Sequence, residues 1–477
     1  MSTSGGRAVS VSRLLAVLLV LLGLFLLRDS WLPVTYRRLP YGGDRTTEEA
    51  NAGSTQPIQQ DNTSTPPSKP TPATCRDVPG ADNVMVLLKT GATEIYQKLP
   101  SHFLTTFKCV PHFMIFSDLA QDFADYPVYD AIEDVSQHYR EEHADFELYR
   151  KLQQYQREGQ DTSKLRGAGS WNLDKWKFFP MLQKAFTTAP DNVEWFVVIE
   201  ADTSISWTNL LQFLRTMDPK QPFYLGAQNV IGDQAFAHGG SGVILSRKAA
   251  DLLGEKREYE GKETWDRDWE RIVSVSCCGD EVISRALGEA GVHLTPAWPL
   301  IQGETVSTLD WTGVHWCSVA ISWHHVTPIE LDSLWQFESD WIEEHGWDTP
   351  YLYRDVFEHF IQRHVTVNRA KWNNKSKDRK LVSVELATEG DEDFSKLNDF
   401  EKNATTSEDA CAEACRRMPE KQCIQWMFSP GRCHLGKDIR FGKSDEAGDM
   451  HWTSGWIQPR LQRFKEGLAN CAVRWAG

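Results

Sequence analysis

Residues 194–204, EWFVVIEADTS, decide the fold of this chain. Two aromatic residues and a run of Val and Ile predict a short buried strand. The run ends abruptly at Glu200 and Asp202, which lie two residues apart and therefore on the same side of an extended chain. In an open α/β sheet, ligands bind at the carboxyl ends of the strands. The stretch thus predicts a core strand with a ligand site at its end.

Glu200 and Asp202 offer two interpretations. Neighbouring carboxylates repel each other unless a cation lies between them, and carboxylate oxygens suit Mg²⁺ or Mn²⁺. A divalent cation held in this way can also hold a diphosphate. Alternatively, Asp202 only caps the next helix, since TNLLQFLRTM at residues 208–217 has a helical pattern. The spacing of the two acids leaves both interpretations open.

Strand-like and helix-like segments alternate before this stretch. VMVLLKTG (84–91) and HFMIFSD (112–118) each predict a strand that ends in polar residues, and a helix-like segment at 94–107 separates them. Further helical patterns occupy residues 131–168 and 174–186. Such alternation predicts an α/β fold with a largely parallel sheet.

Several polar or flexible positions follow these strands. Lys89 ends the first strand and is either a phosphate or uridine contact or an ordinary solvated lysine. HGGSG contains Gly239, Gly240 and Gly242, which either let the backbone approach a ligand closely or only form a turn. Both segments are therefore candidates for ligand binding rather than established sites.

Two later segments carry titratable side chains. Asp280 and Glu281 begin an amphipathic helix, where acids favour the helix dipole, and one of them is also a candidate catalytic base. His324 and His325 follow an apolar run in VAISWHHVTP. A histidine at a strand end is either a third metal ligand or a surface or core-edge residue.

Length and charge limit the class of protein. The 477 residues fit two domains with additional segments. The net charge of −15 argues against nucleic acid as a partner, because nucleic-acid-binding surfaces are basic. The ten cysteines and the sequons at Asn62, Asn374 and Asn403 favour an oxidising, glycosylating compartment.

The N-terminus predicts membrane attachment. Residues 14–27 are apolar, basic residues precede them, and no small-residue cleavage site follows. We therefore expect a cytosolic tail (1–13), an uncleaved signal-anchor (14–28) and a disordered stem rich in Ser, Thr and Pro (29–80). This arrangement places the rest of the chain in the lumen of the Golgi, and a cleaved signal peptide is the alternative.

The strand, loop and helix segments described above, taken in their order along the chain, resemble glycosyltransferase family 31. This is the group of Fringe and the core 1 β1,3-galactosyltransferases, and the resemblance is greatest to its fungal members. The matching segments between residues 84 and 328 are VMVLLKTG, IFSD, EWFVVIEADT, HGGSGVILSRKA, GDEVISRAL and ISWHHVTP. The resemblance implies a GT-A-type nucleotide-sugar-binding fold over residues 81–395, a UDP-sugar donor, Mn²⁺ (with Mg²⁺ as an alternative) and inversion at the anomeric carbon.

The resemblance also implies roles for individual residues. The metal motif of the family falls on Glu200 and Asp202, where Glu and Ala replace the usual first and middle residues, so that Glu200 would act through a water. The implied metal ligand at the last strand end is His324, with His325 as the neighbouring alternative. The implied catalytic base is Glu281, with Asp280 beside it. The implied donor-binding residues are Lys89, Asp118, Gly239 and Gly240.

The C-terminal part (396–477) resembles a PAN/apple-type module through the spacing C-x3-C-x7-C-x9-C. That resemblance implies nested bridges, Cys411 with Cys433 and Cys415 with Cys423, whereas a zinc site is disfavoured by the spacing. Such a module binds protein or carbohydrate, or only stabilises the fold as a disulfide-stapled cap. For the remaining cysteines we expect Cys75 with Cys109 and Cys317 with Cys277 or Cys278, while Cys471 has no assigned partner.

The leading functional hypothesis is a single-pass type II Golgi glycosyltransferase that adds a hexose, galactose by resemblance, to a glycan or glycoprotein acceptor. The alternative is a catalytically inactive lumenal scaffold that binds carbohydrate or protein, because the metal motif is altered. The retained acids Asp202, Asp280 and Glu281 favour the enzyme. A glycoside hydrolase is disfavoured because nothing in the sequence fixes a pair of carboxylates across one bond.

Overall fold

The computed structural model describes residues 75–167, 169–445 and 451–475. The expected tail, the anchor and most of the stem lie outside the described residues, as does the sequon at Asn62. Within the described ranges, no helix is both long enough and apolar enough to cross a bilayer. The anchor at residues 14–28 stays a prediction from sequence.

The strands of the described residues fall into one large sheet and several small ones. In chain order they are β1 (Val84–Lys89), β2 (His112–Ser117), β3 (Gln121–Phe123), β4 (Tyr126–Asp130), β5 (Trp195–Glu200), β6 (Ser204–Ile205), β7 (Tyr224–Gly226), β8 (Gln228–Ile231), β9 (Gln234–Ala237), β10 (Val243–Ser246), β11 (Leu294–Pro296), β12 (Ser322–Trp323), β13 (Trp372–Asn373), β14 (Arg379–Val382), β15 (Gln425–Ser429), β16 (Arg432–Gly436), β17 (Lys443–Ser444) and β18 (Thr453–Trp456).

The large sheet has the spatial order β11-β7-β10-β5-β1-β2-β4-β3. Its centre is parallel, since β1 pairs in parallel with both β5 and β2, and β2 pairs in parallel with β4. β10 lies antiparallel between β5 and β7, which makes the sheet mixed. The predicted α/β fold and its parallel centre are therefore confirmed. The antiparallel strands β10 and β3 are a feature that the sequence pattern did not reveal.

The central strands are apolar because both faces of the sheet are covered. All six residues of β1 are buried, and successive side chains enter different cores. Met85 and Leu87 belong to one hydrophobic cluster, whereas Val86 and Leu88 belong to the other. This alternation explains why the strand reads as a continuous hydrophobic run and not as an amphipathic one.

Helices cover both faces of the sheet. The α-helices are α1 (Ile95–Leu104), α2 (Gln137–Glu142), α3 (Glu147–Arg157), α4 (Gly169–Asp174), α5 (Phe178–Thr188), α6 (Trp207–Leu214), α7 (Arg247–Glu260), α8 (Lys262–Val275), α9 (Gly279–Glu289), α10 (Gly313–Trp316), α11 (Pro328–His345), α12 (Tyr353–Val356), α13 (Asp399–Asn403), α14 (Glu408–Arg417) and α15 (Gln458–Gly467). Apolar residues of α5, α8 and α9 join the first cluster, and those of α1 and α6 join the second.

The end of β5 is linked to a distant segment by a short antiparallel pair. β6, which follows β5, pairs with β12 through Ser204 and Trp323. The backbone N–H of Val326 also donates a hydrogen bond to the carbonyl of Asp202 over 3.0 Å. Residues after 323 are thereby placed beside the carboxyl end of β5.

The C-terminal module is a four-stranded sheet in the order β14-β16-β15-β18, with α14 packed against it. The predicted bridges Cys411–Cys433 and Cys415–Cys423 are confirmed. The predicted module begins at residue 396, but β14 (379–382) pairs with β16, so the sheet of the module begins earlier in the chain. The likeness to a PAN/apple module stays a prediction.

Three further disulfides complete the set in the described residues. The predicted bridge Cys75–Cys109 is confirmed. The predicted bridge from Cys317 to Cys277 or Cys278 is wrong, because Cys317 pairs with Cys471 and the two adjacent cysteines pair with each other. The C-terminal segment returns to the α/β part, and this brings Cys471 to Cys317 across 154 residues of chain.

Two of the sequons have opposite environments. Asn374 is fully buried, and its side-chain amide donates to the carbonyl of Trp426 over 3.0 Å. That geometry leaves no room for a glycan in this fold. Asn403 is exposed at the end of α13, so it is accessible to glycosylation.

Candidate active site

A cavity of about 660 Å³ opens at the carboxyl ends of β1 and β5. The predicted site residues that line it are Lys89, Glu200, Asp202, Gly240, Asp280 and His324. The predicted site residues Asp118, Gly239 and Glu281 are not among its lining residues. The structure therefore gathers most of the predicted residues at the expected edge of the sheet.

Lys89 is buried beside two carboxylates. It is only 2% exposed, it pairs with Glu200 in the register of β1 and β5, and its Nζ lies 3.0 Å from Glu200 Oε1. It also contacts Asp174 at the end of α4. Burial lowers the pKa of Lys89, but Asp174 and Glu200 outweigh this effect and raise it above its ordinary value. Lys89 is therefore a fixed positive charge rather than a solvated lysine.

Asp202 meets a second lysine. Lys98 Nζ on α1 lies 3.1 Å from Asp202 Oδ2 and 3.0 Å from Glu94 Oε2. Burial raises the pKa of Asp202, yet neighbouring positive charge, above all that of Lys98, outweighs burial and holds that pKa below its ordinary value. The carboxylate is thus ionised and offers both oxygens to neighbouring groups.

His324 and His325 face the same carboxylate. The Nδ1 atom of His324 lies 3.6 Å from Asp202 Oδ1, and the Nδ1 atom of His325 lies 4.0 Å from Asp202 Oδ2. Adjacent residues of an extended strand would point to opposite sides, but the backbone of His325 has a φ of 59°. This left-handed conformation brings the two rings together, with centroids 3.9 Å apart.

These three side chains fit a divalent cation. One ligand atom from each of Asp202, His324 and His325 lies within 4.8 Å of the others. Burial lowers the pKa of His324 to about 4, so its imidazole is neutral and able to bind a metal. Carboxylate and imidazole are ligands that Mn²⁺ accepts. Glu200 is not one of these three residues, and its Oε1 atom contacts Lys89 Nζ.

The glycine loop lies between the cluster and Asp280. A side chain at Gly240 would collide with the imidazole ring of His324. A Cβ at Gly239 would lie 3.0 Å from Phe178 and 3.5 Å from Asp280. Both positions therefore require glycine for close packing, and neither has a left-handed backbone.

Asp280 and Glu281 occupy different environments although they are adjacent. Asp280 lines the cavity and accepts hydrogen bonds from the backbone N–H groups of Gly239 and Glu281, each over 2.9 Å. Glu281 is only 2% exposed and pairs with Arg285 one turn later on α9. The first turn of α9 thus aims Asp280 into the cavity and Glu281 away from it.

Asp118 lies behind the cavity wall. It is 1% exposed, and its Oδ1 accepts a hydrogen bond from the backbone N–H of Ala92 over 2.7 Å. Its Oδ2 lies 3.3 Å from Lys177 Nζ, and Lys177 also donates to the carbonyl of Thr90. Asp118 therefore fixes the loop after β1, and that loop lines the cavity.

Sequence reasoning missed two charged residues that pair with predicted site residues, and two cysteines of the cavity wall. Asp174 and Lys98 look like ordinary surface charges of helical segments, and no local pattern reveals their partners. Cys277 and Cys278 line the cavity as a disulfide between adjacent residues, two positions before Asp280. The signal in the sequence was CCGD itself, in which only Gly279 separates the adjacent cysteines from Asp280.

A comparison with protein families supports the expected class. A family model described as Fringe-like matches residues 173–282. The matched residues include β5, the glycine loop and the start of α9, whereas His324 lies beyond them. The match supports the resemblance to glycosyltransferase family 31 and, with it, a glycosyltransferase. The mixed α/β sheet is consistent with a GT-A-type fold.

Proposed function

We propose that this chain is an inverting, metal-dependent glycosyltransferase that moves a hexose, taken as galactose, from a UDP-sugar to a hydroxyl of a glycan or glycoprotein. One observation carries the proposal: a single cavity holds both the candidate cation ligands, Asp202, His324 and His325, and a separate carboxylate, Asp280. Inverting transfer needs these two parts, because the leaving diphosphate and the attacking hydroxyl lie on opposite faces of the sugar.

The donor side of the proposed site is the cluster of Asp202, His324 and His325. These residues would hold Mn²⁺, or Mg²⁺ as the alternative, and the bound cation would offset the charge that grows on the departing diphosphate. Lys89 adds a fixed positive charge beside them and holds Glu200 in place. The donor is thus oriented by charges that are already positioned before it binds.

The acceptor side is Asp280. Its carboxylate takes the proton from the acceptor hydroxyl as that oxygen attacks the anomeric carbon. Burial raises the pKa of Asp280, and the hydrogen bond from Gly239 only partly opposes this effect. A carboxylate with a raised pKa is a stronger base. Because Asp280 lines the cavity and Glu281 does not, we propose Asp280 as the base in place of Glu281.

The cellular setting of the proposal comes from the sequence. The basic and apolar N-terminus (residues 1–28), the stem and the disulfides together fit an enzyme anchored in the Golgi membrane with its cavity in the lumen. The C-terminal module would then bind acceptor or partner, or only stabilise the fold.

Calorimetric titration of the full-length chain with UDP tests the proposal, first with Mn²⁺ and then with excess chelator. We expect micromolar binding that disappears with chelator, and an Asp202→Asn variant that does not bind. A screen of UDP-hexoses by release of UDP would then identify the donor. Absence of UDP binding under both conditions would instead favour the inactive scaffold.

A further inference from the structure

Lys98 contacts Asp202, the carboxylate that a cation in the proposed site would also bind. Its Nζ bridges two carboxylates, Asp202 at 3.1 Å and Glu94 at 3.0 Å. Glu94 immediately precedes α1, one helical turn before Lys98, and lines the cavity. Lys98 therefore neutralises Asp202 in the structure as it stands.

The two oxygens of Asp202 are used differently. Oδ1 faces His324, whereas Oδ2 faces both His325 and Lys98. A cation bound by Asp202 and both histidines would lie close to the ammonium group of Lys98. Two positive charges at such a separation repel each other. Cation and Lys98 thus compete for the same carboxylate.

The two lysines of the site differ in their freedom to move. Lys89 is 2% exposed and is enclosed by Asp174 and Glu200. Lys98 is 22% exposed, and if it leaves Asp202 it still keeps Glu94 as an ionic partner. Lys98 can therefore release Asp202 without becoming an unpaired buried charge.

We propose that Lys98 bridges Asp202 and Glu94 while the cation site is empty, and that it releases Asp202 and keeps Glu94 when a divalent cation binds. This inference rests on the proposed function, because it takes Asp202 as a cation ligand. The bound cation brings two positive charges, and Asp202 neutralises only one of them, while Lys98 stays paired with Glu94. A nucleoside diphosphate neutralises the remaining positive charge, so cation and nucleotide bind cooperatively.

The test is titration of Mn²⁺ into the full-length chain without nucleotide, followed by calorimetry or by the electron paramagnetic resonance signal of free Mn²⁺. Lys98→Met removes the competitor, so we expect Mn²⁺ to bind about tenfold tighter than in the wild type. Glu94→Gln removes the alternative partner of Lys98, so we expect weaker Mn²⁺ binding. Lys256→Met is the matched control, since Lys256 pairs with Glu260 on the surface of α7.

The cooperativity is measured by repeating each titration with saturating UDP. We expect UDP to strengthen Mn²⁺ binding in the wild type and to do so much less in Lys98→Met. Equal or weaker Mn²⁺ binding in Lys98→Met, with Glu94→Gln unchanged, would overturn the inference while leaving UDP binding by the wild type intact. Failure of the wild type to bind UDP with Mn²⁺ would instead refute the proposed function.

A disturbed fold in Lys98→Met does not remove the test. Lys98→Arg keeps the positive charge and the ion pairs, so we expect it to fold and to bind Mn²⁺ no more tightly than the wild type. Tighter binding in Lys98→Arg would contradict the competition. The opposite signs expected for Lys98→Met and Glu94→Gln also separate competition from a general loss of structure, which would weaken both variants.

Discussion

The carboxylate of Asp280 accepts a hydrogen bond from the backbone N–H of Gly239 over 2.9 Å and thereby joins the start of α9 to the glycine loop. This bond fixes one oxygen of Asp280. The loop itself is pressed against His324 on its other side, at Gly240. The position of the proposed base is thus coupled, through one short loop, to the position of a proposed cation ligand.

Replacement of Asp280 should slow sugar transfer without weakening the binding of UDP and Mn²⁺. We expect Asp280→Asn to lower the rate of UDP release from the UDP-hexose by a factor of about 100 to 10,000, because general-base catalysis contributes that much. Binding of UDP with Mn²⁺ should remain close to that of the wild type, since Asp280 does not belong to the cation cluster. Calorimetry and a coupled assay of UDP release measure the two effects.

Glu281→Gln is the matched control for Asp280→Asn. Glu281 is buried and pairs with Arg285 away from the cavity, so we expect this variant to keep most of its transfer rate. A loss of transfer in Glu281→Gln that equals or exceeds the loss in Asp280→Asn would return the role of base to Glu281.

The proposed cation cluster predicts that Asp202 contributes more to Mn²⁺ binding than Glu200 does. Asp202→Asn should weaken Mn²⁺ binding by about 100-fold, because it removes a charge that faces both histidines. Glu200→Gln should weaken it much less, since Lys89 already neutralises Glu200. Titration of Mn²⁺ without nucleotide compares the variants, and the reverse order would show that Glu200 is the main ligand.

The sequence predicts where the site lies better than it predicts how the site is arranged. Strand ends at Lys89, Glu200 and Asp202 meet because parallel strands share an edge, and this follows from hydrophobic patterning alone. The choice between Asp280 and Glu281 depends on the phase of α9 against the glycine loop. That phase is set by packing and not by the local sequence.

Contacts between residues that lie far apart in the chain are the part of the site that the sequence pattern does not predict. Lys98 meets Asp202 only because α1 packs beside the end of β5, 104 residues later in the chain. His325 joins the cluster through a left-handed backbone that a non-glycine residue rarely adopts. Composition could show that Cys317 needs a partner, but not that the chain end at Cys471 supplies it.

A buried carboxyl group predicts how stability depends on pH. Glu338 on α11 is 4% exposed and accepts hydrogen bonds from Thr208 N (2.8 Å) and Ser206 Oγ (3.2 Å) at the start of α6, close to Tyr351. Burial raises the pKa of Glu338 to about 7, from 4.5, although those hydrogen bonds oppose the rise. The folded state therefore favours the protonated acid. The stabilisation of the fold that comes from protonated Glu338 is complete below pH 4.5 and is lost as pH rises to about 7.

Glu338→Gln imitates the protonated acid at every pH. We expect this variant to be more stable than the wild type at pH 8, by up to about 3 kcal/mol, and to show no advantage at pH 4.5. Denaturation with urea at both pH values measures the difference in free energy of unfolding. A difference that does not change with pH would show that Glu338 is ionised and well solvated in the fold.

Arg460 closes the end of a helix in the C-terminal module. Its guanidinium donates to four backbone carbonyls at the end of α14 and in the segment that follows, those of Cys415, Arg416, Met418 and Cys423. Arg460→Met removes all four of these hydrogen bonds, and only the carbonyl of Cys415 keeps a backbone donor, the N–H of Met418. We therefore expect the free energy of unfolding to fall by about 3 kcal/mol. Arg463→Met, three residues later and exposed, should have almost no effect. Urea denaturation without reductant compares them, and equal effects would refute the capping role.

The disulfide between Cys277 and Cys278 should be the first to be reduced. Among the five disulfides of the described residues, it alone has no buried cysteine, and Cys277 is exposed at the cavity. Brief treatment with a mild phosphine followed by iodoacetamide should label these two positions about ten times faster than any other pair, because attack requires access to a sulfur atom. Peptide mass spectrometry locates the label, and a Cys277→Ser/Cys278→Ser variant is the control that should take up none under the same conditions. Earlier labelling of the buried pair Cys411–Cys433 would show that the C-terminal module opens more readily than the cavity admits reagent.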